Sequence, residues 1–159
     1  MKKFIIQLVI LLVVIFTALG LWTNRITSIP LIPETVSTKD LAINGQVLKV
    51  EVADTQNKRS KGLGGREAIA TDSGMLFIFD TEKVYSFWMK GLKFPLDIIW
   101  IKDNVIVDII ENVPPPLEGQ TDSNLPIYQP SVVVDSVLEV NAGIVDKLNI
   151  KVGDKINLN

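Results

Sequence analysis

Two carboxylates and one guanidinium stand out for the company they keep. Asp97 lies in FWMKGLKFPLDIIWI (87–101), among two tryptophans, two phenylalanines and a methionine, and Glu139 lies in VLEV (137–140). If both stretches are strands, alternation puts Asp97 on one face with Ile99 and Ile101, and Glu139 on one face with Val137. A carboxylate on an apolar face is costly unless it is paired or hydrogen-bonded. Arg66, just after GLGG, is the natural bidentate partner, because a planar guanidinium matches a carboxylate. Three roles compete. Arg66 neutralises Asp97 or Glu139 and locks the glycine loop to the sheet, or the same charges meet a ligand. The third is an acid–base pair, which glycosidase-like chemistry would need at a separation of about 5–9.5 Å. The first is favoured, so Asp97 reads as a fold-holding carboxylate. Trp88 shares its strand phase with Ser86 and Lys90, which suits an exposed aromatic platform. With Met89 beside it and Tyr128 between Pro126 and Pro130, the candidate ligand-binding set is Arg66, Trp88, Met89, Asp97, Tyr128 and Glu139.

The residues that are missing narrow the chemistry further. The chain has neither histidine nor cysteine. This excludes Ser-His-Asp and Cys-His catalysis, imidazole- or thiolate-bound zinc, disulfides and a lipid-bearing cysteine. Only oxygen ligands remain for a metal, and no D-x-D-x-D-G loop supplies them, so no metal or cofactor is expected. From Asn24 onward there are 14 basic and 18 acidic residues and no basic stripe, which argues against a nucleic-acid partner.

These residues need a scaffold, and its layout is legible in three parts. Residues 1–23 begin with Lys2 and Lys3, followed by 19 uncharged residues from Phe4 to Trp22. A helix of that length, at about 1.5 Å per residue, just spans a hydrocarbon core of about 30 Å. The two lysines should stay cytoplasmic and the rest lie outside. The expectation is a single-pass anchor in the cell membrane through residues 4–22. A signal peptide cleaved after Gly20, releasing a secreted or periplasmic product, is the alternative. Residues 24–40, with Pro30 and Pro33, read as an extended tether.

Residues 41–159 read as one β-rich domain. LAI-NG-QVLKVEV is a hairpin pattern around Asn44-Gly45. A short helix capped by Asp54 or Thr55 should end at the glycine cluster. GMLFIFD (74–80), VYSFWM (84–89), LDIIWI (96–101), VIVDIIENV (105–113) and VLEV follow as strands. Asn141 is expected to cap a second short helix to about Asn149, ahead of a last strand in KVGDKINL. The predicted fold is mostly β (α+β), a small curved antiparallel sheet or barrel of seven to eight strands with two short helices. Residues 114–130 hold five of the eight prolines and form a long loop, a form that is usually functional or disordered.

Several stretches occur in an order that resembles one family. They are EVADTQNKRSKGLGGRE, DSGMLFIFD, FWMKGLKFPLDIIWI, the proline-rich loop ending at Tyr128, and VLEVNAG followed by KVGD. Together they resemble the bacterial and archaeal domain of unknown function 192, over about residues 46 to 159. The resemblance implies a compact β-rich domain, often preceded by an export signal or anchor, and supplies no reaction. Gly64 stands where the family usually has methionine, and Gly91-Leu92 where it usually has asparagine and threonine. Many members carry cysteines near the positions of Pro116 and Leu125.

The expected role is therefore a membrane-tethered binding or accessory module of the cell envelope, meeting a small molecule, glycan or peptide. A hydrolase of envelope polymers using Asp97 and Glu139 is the alternative, and an assembly partner presenting strand edges is a third reading. The lysine flank predicts that protease added to intact spheroplasts digests the 41–159 domain. Full protection in sealed cells would rule that orientation out.

Overall fold

The computed structural model describes residues 2–23 and 37–159. The chain divides into two units, Met1–Thr35 and Val36–Asn159. In the first, α1 (Lys2–Thr23) is a 22-residue helix. The tether expected from residue 24 lies outside the described residues up to residue 36. The strand pattern begins at Thr38, earlier than the Leu41 boundary.

The second unit is a single seven-stranded sheet. Its strands are β1 (Thr38–Ile43), β2 (Gln46–Ala53), β3 (Ser73–Lys83), β4 (Leu96–Lys102), β5 (Val105–Val113), β6 (Val134–Asn141) and β7 (Ile156–Leu158). Their order in the sheet is β5-β4-β6-β3-β2-β1-β7. The β2–β3 pair is parallel and every other pairing is antiparallel. The β1–β2 turn forms as its dipeptide demands, with Asn44 and Gly45 both at positive φ (50° and 75°). Asp103 and Asn104 make the β4–β5 turn in the same way. The sheet curls into a half-barrel. Its two edge strands approach at one end, where Val105 bridges Lys155 and the Ile156 N–H donates to the Asn104 carbonyl at 2.9 Å.

Register sorts the side chains into two layers. The inside of the curl holds Leu41, Val50, Leu76, Ile99, Ile101 and Leu138, with Ile144 and Val145 of α3 (Ile144–Lys147) plugging it. The outer face of β3, β4 and β6 carries a second apolar layer, including Met75, Phe77, Ile98, Trp100 and Val137. Trp100 is fully buried, and its indole N–H has no hydrogen-bond partner among the described residues. Such an orphan donor costs about 1–3 kcal/mol, borne by the packing around it. The β3–β6 contact is close. A Cβ on Gly74 would stand 2.5 Å from the Glu139 carbonyl oxygen, so only glycine fits there.

Two expectations fail for identifiable reasons. VYSFWM (84–89) is not a strand, because its rings turn onto the outer layer rather than continuing a sheet edge: Tyr85 stacks on Phe79 and Phe87 meets Phe77 and Trp100 edge-on. The segment instead crosses over the outer face, held by one bridge between Phe87 and Tyr128. Asn141 does not cap a helix to Asn149. It remains in β6, paired with Leu96, and its side-chain amide donates to the Ile69 and Ala70 carbonyls. The helix is the shorter α3, entered through Gly143 at φ 85°.

Asp97 shows how the layers are tied together. It is fully buried in β4, and its carboxyl oxygens accept from the Asn112 N–H at 2.9 Å and the Val145 N–H at 3.0 Å. One side chain thus joins β4 to the end of β5 and to the first turn of α3. Asp97→Asn keeps the size but turns a donor toward one of those N–H groups. The expected cost is about 2–4 kcal/mol in denaturant unfolding. A variant as stable as wild type would show that these two bonds are dispensable.

Candidate functional site

The outer layer is covered by irregular chain rather than by a helix pair or a second sheet. First comes α2 (Gln56–Lys61), N-capped by the Thr55 hydroxyl, which accepts from the Lys58 N–H, and stopped at Gly62 (φ 50°). The glycine loop follows, then residues 84–94, and last the proline-rich loop. Arg59 of α2 is locked in place, since its Nη1 donates to the Asp54 and Ile78 carbonyls at 2.8 Å each. Its guanidinium also sits 5.3 Å from the centre of the Phe79 ring. The glycine loop and the crossing segment touch through their backbones, with the Gly65 N–H donating to the Gly91 carbonyl at 2.8 Å. A Cβ on Gly64 would lie 3.2 Å from the Lys90 carbonyl oxygen, so a larger residue there would press on the crossing segment.

Between these covers and the sheet is a cavity of about 980 Å³. Its apolar wall is aromatic. Phe87 meets Phe77 edge-on at 5.0 Å, and Phe79 stacks on Tyr85 at 3.6 Å between ring centres. Trp88 also lines the cavity and remains 55% exposed. Glu139 reaches the cavity from β6, where its strand neighbours are Met75 and Ile98. It is only 4% exposed. Among the described residues nothing donates a hydrogen bond to its carboxyl or forms an ion pair with it. Burial in this layer pushes its pKa from the ordinary 4.5 up to about 8.

The six residues singled out in the sequence do not converge. Trp88 and Glu139 line the cavity. Met89 is buried beneath the crossing segment in the outer layer. Tyr128 packs against that layer, and its backbone N–H and carbonyl exchange bonds of 2.8 and 2.9 Å with Phe87. Asp97 points to the inside of the curl, because it is adjacent to Ile98, which pairs with Glu139. The two carboxylates therefore sit on opposite faces of one sheet and share no cleft. Arg66 pairs with neither of them. Its Nη1 and Nη2 bind Glu51 Oε1 and Oε2 at 2.5 and 2.6 Å, and that bond holds the Glu51 carboxyl below its usual range. The sequence pairing fails because Glu51 follows the phase of Lys49, a pattern that reads as a solvated face. Glu51 in fact lies beside Met75 in the sheet, under the glycine loop. The aromatic wall was missed for the opposite reason. Phe77, Phe79, Tyr85 and Phe87 carry the pattern of ordinary core, and nothing local distinguishes a packed ring from one facing a cavity.

The buried acid makes stability depend on pH with a definite sign. Between about 4.5 and about 8 the folded chain keeps a proton that the unfolded chain releases. Stability from this group is therefore full at the acid end and falls as pH rises through that window, by about 1.4 kcal/mol per unit at most. The carboxylates with lowered pKa (Glu51, Asp54, Asp108 and Asp154) lose their contribution only at lower pH. Glu139→Gln should thus melt above wild type at about pH 8–9 and match it near pH 5. Melting curves that run parallel across that range would show that Glu139 is not the titrating group.

Comparison with known proteins agrees with this architecture. A solved protein from Sinorhizobium meliloti 1021, described as a "putative transcription regulator", is 32% identical with a TM-score of 0.69. The match covers 78% of this chain and 95% of that one. A protein of unknown function from Novosphingobium aromaticivorans DSM 12444 is 27% identical with a TM-score of 0.67, over 80% of this chain and 89% of that one. No curated protein matches the chain. The family described as "Uncharacterized ACR" matches residues 39–158, and on that match the chain belongs to the DUF192 family.

Proposed function

We propose that the β domain is a binding module for a small organic ligand, held outside the cytoplasmic membrane by the N-terminal helix. The observation that carries the binding reading is Glu139, a buried carboxyl with no partner among the described residues, facing an aromatic-lined cavity. A buried acid without a partner lowers stability at neutral pH, and side chains of that kind concentrate where a ligand supplies what the fold does not. A cavity of about 980 Å³ suits a small molecule, and the exposed Trp88 at its rim offers a stacking surface to a larger one such as a glycan or peptide. Envelope hydrolysis by Asp97 and Glu139 has no support from their placement, because the sheet lies between them.

The anchor rests on the sequence, namely the uncharged run behind Lys2 and Lys3. The backbone of that run is helical. Among the described residues no helix is long and apolar enough to cross a membrane.

A thermal-shift screen of small molecules on the full chain in detergent tests the binding reading. Stabilising compounds should act on wild type and lose their effect in Ser60→Trp, which fills the rim from an exposed position on α2. A compound present at about 100 times its Kd should add about 2.7 kcal/mol. If no compound stabilises the protein, or if every one acts equally on Ser60→Trp, the cavity is not a binding site.

A further inference from the structure

The cavity has a charge pattern that narrows the chemistry of its ligand. Arg59 and Lys61 of α2, Lys83 of β3 and Lys90 of the crossing segment all line it. The acidic side chains there are Asp80 and Glu139. This concentration of cations is notable in a chain whose net charge is −2. Two of the four already have other partners. Arg59 is held by the Asp54 and Ile78 carbonyls, and Lys90 pairs with Asp122 at 2.7 Å. Lys61 and Lys83 form no ion pair within 4 Å among the described residues. Glu51, the acid nearest to Lys61 in effect, is taken bidentately by Arg66.

Deeper in, the site offers aromatic rings and one acid. Burial keeps Glu139 protonated at neutral pH, so its carboxyl presents an O–H donor to the cavity rather than a negative charge. The groups that face it or share its cavity are Arg59 and Lys61 from α2, Asp80 and Lys83 from β3, and Tyr85 and Lys90 from the crossing segment. None of them pairs with it.

Building on the binding reading above, we propose that the cavity selects aryl carboxylates and related aromatic anions. In this arrangement the ligand's rings lie against Phe77, Phe79 and Phe87, its anionic group meets Lys61 or Lys83, and Glu139 presents an uncharged carboxyl at the inner end, where a negative charge would repel the anion. An aromatic cation suits the rings equally well, through cation–π contact. It would, however, enter a mouth of its own sign and meet an acid that gives no charge at neutral pH.

The test uses three probes of one shape and different charge: naphthalene-2-carboxylate, 2-naphthylmethanol and 2-naphthylmethylammonium. Their affinities for the full chain in nanodiscs are measured by calorimetry against empty nanodiscs. The carboxylate should bind about tenfold or more tighter than the other two. The Lys61→Gln/Lys83→Gln double variant should lose about tenfold for the carboxylate alone, with an unchanged melting temperature. Affinity for the carboxylate should also fall as pH rises past about 8 in wild type, a dependence absent from E139Q. Tightest binding by the ammonium or the alcohol overturns the charge assignment and leaves the binding module standing. A carboxylate preference that survives the double lysine variant overturns it too. Failure of all three probes overturns the inference, and the Ser60→Trp screen then decides separately whether the cavity binds anything.

Discussion

The central strands β3, β4 and β6 are buried on both faces, and most of the rest of the molecule follows from that. A sheet that curls on itself hides one face without further help, and the interior needs only α3 to plug it. The other face must be covered from outside. Among the described residues no helix pair and no second sheet covers it. The chain uses the glycine loop, the 84–94 crossing and the proline-rich loop, pinned by a handful of specific bonds: Gly65 to Gly91, Phe87 to Tyr128, Lys90 to Asp122 and Arg66 to Glu51. Irregular chain packs less completely than paired elements do. The cavity is the space such a cover leaves above the aromatic rings of β3.

The two buried carboxylates illustrate opposite solutions to one problem. Both sit in strands with an apolar layer on each side, and both are nearly inaccessible to water. Asp97 is stabilised by two backbone N–H donors and through them fixes β5 and α3 to β4. Glu139, one register step away on the adjacent strand, has no donor among the described residues and holds its proton instead. Packing can supply a partner on the inner side because α3 and the end of β5 bring unused backbone N–H groups there. On the outer side the cover stands off by the width of the cavity, and among the described residues no backbone N–H reaches the acid. The residue that is cheap to bury therefore belongs to the fold, and the costly one faces the space where a ligand fits.

Electrostatics on the outer side follows the same division. Arg66, Arg59 and Lys90 act as fasteners, each spent on a carboxylate or a carbonyl that holds the cover down. Lys61 and Lys83 form no ion pair among the described residues and line the cavity, which gives an acidic protein a locally cationic mouth. The match to the DUF192 family extends over residues 39–158, so the cavity and its cover lie within the matched part of the chain.

What the sequence determined by itself is what short-range physics controls. Asn-Gly and Asp-Asn admit positive φ, so the two hairpins could be read directly. Period-two runs placed β1 through β7 apart from the 84–89 error, and Thr55 with the glycine behind Lys61 bracketed α2. The phase of LDIIWI and VLEV already placed Asp97 and Glu139 on apolar faces. Whether those faces were one or two depended on the β4–β6 register, which no local pattern encodes. Only the tertiary structure decided that Arg66 meets Glu51, because that contact joins a loop to a strand fifteen residues away through the parallel β2–β3 pairing. It decided equally that VYSFWM is a cover rather than a strand, since alternation specifies which side chains face inward but not whether they pack within a sheet or across its face. The cavity belongs to the same class. A packed aromatic ring and one lining an open space have the same sequence, and the difference lies in how closely three distant loops can approach the sheet.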